Sequence, residues 1–178
     1  SNETLPILNR FGCDPFKAGA VRIQKYTLSA PSGKTISSEL PLGAFGLSRY
    51  QLDQMLWRRA VELGVEVRTR HQVRAIGFQN GMAQIKAHKE SCFAQFVVGA
   101  FGKTSNLSPA SSAGSRGKYV GIKKHVHLSF PDDLVALHNF NGGYCGVSKV
   151  EDNRVNVCYL APAKAVRKEG GIDNFERR

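Results

Sequence analysis

Hydrophobic and polar positions along the chain fall into two kinds of pattern. The stretch "VRIQKYTLSAPSGKTISSELP" (21–41) reads as two strands joined at Pro31-Ser32-Gly33, a turn with Pro and Gly in useful places. A glycine-bearing connector follows, "LPLGAFGLS" (40–48). Over 48–64 the period changes: Leu52, Met55, Leu56, Ala60 and Leu63 recur at helical spacing and make one apolar stripe. Ser48 and Gln51 fit a capping box, and Gly64 sits where a left-handed residue ends a helix. "VEVRT" (65–69) then reads as a strand, because helix, glycine, strand is the order of an α/β unit. Asn80-Gly81 between the arms of "VRAIGFQNGMAQIKAH" (73–88) predicts a type I′ hairpin. "CFAQFVVGA" (92–100) is continuously apolar rather than alternating, as suits a strand inside a parallel sheet.

Residues 102–118 are rich in Ser, Gly and Ala and read as a loop or hinge. Beyond them lie four short strand patterns, 119–128, 134–140, 144–151 and 154–161. Asn141-Gly142-Gly143 and Asp152-Asn153 are suitable hairpin turns, so this half should be an antiparallel sheet. The tail from Pro162 begins as a helix and fades at Gly170-Gly171. The expected fold class is α/β, with an α/β piece (47–103) set between β-rich segments (21–41 and 119–161).

Composition narrows the picture modestly. At 178 residues, 42% hydrophobic and 22% charged, the chain has the make-up of a folded soluble protein of one domain or two small lobes. Its longest apolar runs, such as Phe96–Ala100, are too short to span a bilayer, and "SNETLPILNR" lacks the pattern of a secretory signal. Cys13, Cys92, Cys145 and Cys158 have no metal-type spacing, which points to a reduced, cytoplasmic protein. A net charge of +11 invites nucleic acid, anionic membrane or phosphate-bearing ligands. The cations are scattered without interleaved aromatics, so the charge alone is a weak pointer.

Candidate chemistry in the β-rich half is sparse. His125 and His127 should share a strand face, but a third metal ligand would have to be His138, and no metal is expected. Counted back from Asp152-Asn153, Cys158 should oppose Val147, which makes Cys145 and Cys158 diagonal and a disulfide unfavourable. No Ser-His-Asp arrangement stands out.

Three stretches together resemble a known family. "GLSRYQLDQMLWRRAVELGVEV" carries Arg49, Leu52, Asp53 and Leu56 in an Arg-x-x-Leu-Asp-x-x-Leu pattern. "VVGAFGKTSNL" resembles a Gly-Ala-Asp-Gly turn, with Phe101 in the Asp position. "NGGYCGVSKVEDNRVNVCYL" resembles a Gly-Gly-Tyr turn and the hairpin after it, with Gly146 and Ser148-Lys149 where aromatic and Phe-Pro residues often stand. In this order they are similar to the middle of FAD-dependent oxidoreductases of the para-hydroxybenzoate hydroxylase fold, geranylgeranyl-reductase-like branch.

The resemblance implies a partial three-layer FAD-binding lobe at 47–117, including hairpin 73–88. It also implies an antiparallel β-sheet substrate lobe from 1–46 and 118–178. Arg49 would reach the FAD phosphates or ribityl chain, the backbone at Val73 would meet the adenine, and Ala100 and Gly102 would lie beside the dinucleotide. Tyr144 would wall the pocket of a small organic or isoprenoid-like substrate. No catalytic acid or base is assigned. The first Gly-x-Gly-x-x-Gly motif and the late Gly-Asp motif of that family have no counterpart in the sequence. The expectation is therefore an interior fragment of a reductase or monooxygenase, with NADH or NADPH as a candidate second cofactor, and weak FAD binding by the chain alone. The alternative is a basic nucleic-acid-binding module built on Tyr119, Lys123, Lys124 and His125.

Overall fold

The computed structural model describes residues 1–87, 90–102, 105, 107 and 118–177. The expected hairpin end at His88 and most of the 102–118 loop lie outside the described residues. The chain has mixed α/β content and divides into two compact units, residues 1–65 with 117–178, and residues 66–116.

The first unit is built on a six-stranded sheet. Its strands are β1 (Val21–Ser29), β2 (Thr35–Gly46), β6 (Tyr119–Val126), β7 (Leu134–Phe140), β8 (Gly143–Lys149) and β9 (Val155–Pro162), in the order β2-β1-β7-β8-β9-β6. Within 119–161 every strand pair is antiparallel, as expected; only β1 and β7 pair in parallel, from Lys25 with Leu134 to Ser29 with His138, so the six-stranded sheet of the first unit is mixed rather than wholly antiparallel. β2 also runs through the stretch expected to be a connector, as far as Gly46. The hairpin turns form as their residues demand, with Asp152 and Asn153 both at positive φ.

Cross-strand partners point to the same side of a sheet. Ala136, Val147, Val157 and Lys124 therefore mark one face. On this face Ala136, Val155 and Ala161 are buried, and two short helices join the unit, α3 (Ala163–Lys168) and α4 (Ile172–Glu176). Tyr159 stacks on Phe175 and donates a 2.6 Å hydrogen bond to Glu176, which also holds Lys124. Burial and the neighbouring Glu176 carboxylate push the Tyr159 hydroxyl well above its ordinary pKa. The tail is thus two short helices on either side of Gly170-Gly171 rather than one that fades.

The opposite face carries Tyr26, Leu28, Leu137, Tyr144, Gly146, Asn156, Cys158, Leu160, Gly121, Lys123 and His125. Register places Cys158 against Gly146, not Val147, so Cys145 and Cys158 project from opposite faces. His127 lies just past the end of β6.

A helix near the chain start, α1 (Leu5–Arg10), and the long α2 (Arg49–Glu62) complete the first unit. α2 begins and ends where its caps predict, with Ser48 accepting from the Gln51 amide and Gly64 at φ +80°. Its apolar stripe is only partly covered: Leu52, Met55 and Ala60 are half-buried, while Leu56 and Leu63 are exposed.

The second unit is a three-stranded antiparallel sheet of β3 (Val73–Gln79), β4 (Met82–Ala87) and β5 (Ser91–Ala94). Asn80 and Gly81 both have positive φ, the type I′ hairpin read from the sequence. Two other expectations fail. Residues 65–69 form no strand, and β5 stops at Ala94 instead of running to residue 100. Phe96 and Val98 are each 88% exposed. The physical reason is shared: a continuously apolar run becomes a strand only when a neighbour satisfies its backbone and covers its side chains. Among the described residues neither segment has one.

Candidate functional site

The best-ordered polar junction of the first unit surrounds the start of α2. Gly46 ends β2 so close to the β8 end that a Cβ there would stand 1.9 Å from the Lys149 carbonyl oxygen. Two residues later the Ser48 amide donates to Glu151 Oε2 at 2.8 Å, while Arg154 Nη2 donates to Glu151 Oε1 at 2.8 Å. Glu151 is 2% exposed. Burial works to raise its pKa, but the Ser48 hydrogen bond and the Arg154 charge prevail and hold it below the usual carboxylate range.

The capping box is thereby half replaced. Ser48 Oγ takes the Gln51 amide as predicted, but the acceptor for the Ser48 amide comes from the β8–β9 turn and not from Gln51. The sequence offered only an Asp-Asn turn flanked by Glu151 and Arg154; nothing local tied it to a helix about 100 positions earlier.

Arg49, the first residue of α2, extends outward with its side chain 75% exposed and a 3.5 Å contact to Asp53 one turn on. With Tyr50, Lys123, Lys124 and His125 it lines a cavity of about 330 Å³ that has no acidic residue in its wall. Lys123 and His125 come from the outer strand β6 and share a face; Lys124 points to the other face and is held by Glu176. The direct partner of His125 on β9 is Asn156. His125 Nε2 and Asn156 Oδ1 are both buried with no hydrogen-bond partner among the described residues.

Tyr144 sits at the start of β8 on the same sheet face as His125, 42% exposed, flanked by Asn139 and Leu160 as cross-strand partners. Its backbone entry is tight, since a Cβ on Gly143 would meet the Leu160 carbonyl oxygen at 2.0 Å. Only glycine fits there.

The remaining three predicted residues belong to the second unit. Val73 opens β3, half-buried, beside a small cavity of about 180 Å³ with Arg68, His71, Ile85 and Cys92. Arg68 there bridges Glu66 at 2.7 Å and Glu90 at 2.8 Å. Ala100 is exposed, and Gly102 has φ +76°, a backbone that L side chains rarely adopt. Phe101 folds its ring back on the chain: a Cβ on Gly99 would come within 2.8 Å of Phe101 Cε1. The aromatic ring in the usual Asp position thus packs on its own glycine turn. Lys103, Thr104 and Asn106 of the same motif lie outside the described residues.

Among the described residues no three His, Cys, Asp or Glu side chains gather as metal ligands, and no helix is long and apolar enough to cross a membrane.

No protein-family model matches the sequence, and no curated protein matches it. Solved structures do. A triple mutant of the flavin-dependent brominase Bmp2 superimposes with TM-score 0.74 at 18% identity, covering 97% of this chain and 48% of that one. A geranylgeranyl bacteriochlorophyll reductase-like protein from Thermoplasma acidophilum gives 0.72 at 18% identity, covering 96% and 48%. Klebsiella pneumoniae HpxO, solved with FAD and uric acid, gives 0.66 at 15% identity, covering 88% and 45%. The likeness is one of fold, and the chain spans about half the length of these structures.

Proposed function

We propose that this chain forms the middle section of an FAD-dependent oxidoreductase, a reductase or monooxygenase acting on a small organic molecule. The observation that carries the reading is the superposition of nearly the whole chain on flavin-dependent neighbours, which share its α/β arrangement. The residues fit a dinucleotide at two places. The Gly99–Gly102 backbone turns tightly with positive φ at Gly102, and Arg49 opens onto a carboxylate-free cavity at a helix N-terminus.

In this reading 47–117 contributes to an FAD-binding lobe, and 1–46 with 118–178 forms the substrate lobe. Arg49 binds the anionic part of FAD, the backbone at Val73, Ala100 and Gly102 borders the dinucleotide, and Tyr144 with the open sheet face walls the substrate pocket. Bound flavin supplies the hydride or oxygen chemistry, with NADH or NADPH as the electron source. The protein's own share is placement: Glu151 fixes the start of α2, and so the point from which Arg49 extends. The same reading has the protein work in the cytoplasm.

The unpaired apolar segments 65–69 and 96–102 support the further proposal that they are sheet strands of a longer polypeptide. Alone, the chain then holds FAD weakly. In a longer FAD-loaded polypeptide from the same gene, Arg49→Ala should weaken FAD by about tenfold, the value of one charge-assisted contact. Unchanged FAD affinity in that variant removes Arg49 from the cofactor site. The nucleic-acid reading is weaker, because Lys123 and Lys124 project from opposite faces and Glu176 already holds Lys124.

A further inference from the structure

We infer that the crevice between the first turn of α2 and strand β6 is a binding site for a small oxyanion, a phosphate or a carboxylate, with Lys123 and His125 as its specific ligands. The crevice is the cavity onto which Arg49 opens, so the inference shares that residue with the flavin reading; Lys123 and His125 are what it adds, and its test needs no flavin.

Four features converge. The walls are Arg49, Tyr50, Lys123, Lys124 and His125, with no carboxylate among them, around a cavity of about 330 Å³. That volume admits a phosphate, a pyrophosphate or a small aromatic acid, and excludes a folded macromolecular segment. Two of the cations are uncommitted or nearly so: Lys123 has no acidic partner among the described residues, and Arg49 touches Asp53 only at 3.5 Å on an exposed surface, where such pairs contribute little. Lys124 is the exception, since its ammonium already meets Glu176.

Next, the amides of Arg49 and Tyr50 stand in the first turn of a 14-residue helix, with no preceding carbonyl to accept them, and the helix dipole favours an anion there. Glu151 offsets part of that field, but its carboxylate is bound to the Ser48 amide and Arg154.

The third feature is independent of charge. His125 Nε2 and Asn156 Oδ1 lie on directly paired residues of β6 and β9, both buried and both unpartnered among the described residues. Leaving two such atoms unpaired is unfavourable by roughly 1–3 kcal/mol each. A small turn of the imidazole lets Nε2–H donate to Asn156 Oδ1, and in the imidazolium form Nδ1–H is then left to donate to an anion in the crevice. Anion binding and satisfaction of the polar row are then one event.

Finally, Lys123 and His125 project from the sheet face that carries Tyr144, four residues along β8 from Ser148, the β8 neighbour of Asn156. At about 3.3 Å per residue that is roughly 13 Å, the length of a small molecule with an anionic end and an apolar body.

The test uses the chain itself, without FAD. Imidazole resonances of His125 are followed by NMR while inorganic phosphate, pyrophosphate or benzoate is added. A saturable shift is expected, with Lys123→Ala and His125→Gln each weakening the binding about five- to tenfold, and Lys86→Ala in the second unit leaving it unchanged. Preference for pyrophosphate assigns a phosphate ligand; preference for benzoate assigns a carboxylate substrate. Lys123 is exposed, so Lys123→Glu keeps the test decisive should His125→Gln unfold the sheet. The inference is overturned if no probe gives a saturable shift, or if Lys123→Glu leaves the shift intact. It is also overturned if a short oligonucleotide binds there tightly with steep salt dependence while the small anions do not.

Discussion

The two units of this chain are made of similar residues and end differently. In the first, six strands find one another across as many as 109 sequence positions, as in the Ser29–His138 pair, and bury Ile23, Ala136, Val150, Val155 and Ala161. In the second, Ala83 is the one hydrophobic residue buried among those described, while Phe78, Phe93, Phe96 and Val98 face outward. Alternating patterns with strong turns close on themselves wherever they occur, as the Asn80-Gly81 hairpin shows. Continuous apolar runs do not, because a strand covered on both faces needs partners that supply both. The exposed runs of the second unit have no covering neighbour among the described residues, and the chain spans about half of the structures it resembles.

Substitutions should separate the two units sharply. The largest effect is expected for Val155→Asp, which places a charge in the fully buried sheet face and should destabilise the first unit by about 3–5 kcal/mol, enough to abolish cooperative unfolding in urea. Gly46→Ala comes next: the added methyl collides with the Lys149 carbonyl, and the midpoint should fall by the equivalent of about 2–3 kcal/mol.

Glu151→Gln should be milder, about 1–3 kcal/mol, from loss of a charged acceptor for Ser48 and Arg154. It carries a pH signature as well. Because the Glu151 pKa is depressed in the folded protein, its stabilisation is present above the unfolded carboxylate value and lost as pH falls through the folded one. The acid limb of a stability-versus-pH curve should therefore flatten in the variant. The smallest effect belongs to Val98→Asp, within about 0.5 kcal/mol in this chain, since the residue covers nothing. A large loss at Val98 would mean that the second unit has a core of its own.

Most local features were legible in the sequence. The α2 caps, the Asn80-Gly81 type I′ turn, the Asp152-Asn153 hairpin turn and the strands of the β-rich half follow from residues within a few positions of each other. What was hidden depends on distance along the chain. The parallel β1–β7 pairing, the Glu151 acceptor for Ser48 and the His125–Asn156 row all join segments whose meeting no local pattern encodes. The register error at Cys158 has a narrower cause: β8 and β9 pair one position away from a direct count off Asp152-Asn153. For the candidate site, Arg49, Gly102 and Tyr144 were chosen by resemblance, whereas the crevice that Arg49 shares with Lys123 and His125 became visible only through the fold.

The central proposal is that this chain contributes one part of a flavin-binding fold. It is tested most directly by titrating FAD, followed by flavin fluorescence, into this chain and into a longer form that supplies the rest of the proposed fold. The account predicts weak or no binding by the chain and stoichiometric, tight binding by the longer form. Tight binding by the chain alone, or none by the longer form, would contradict it.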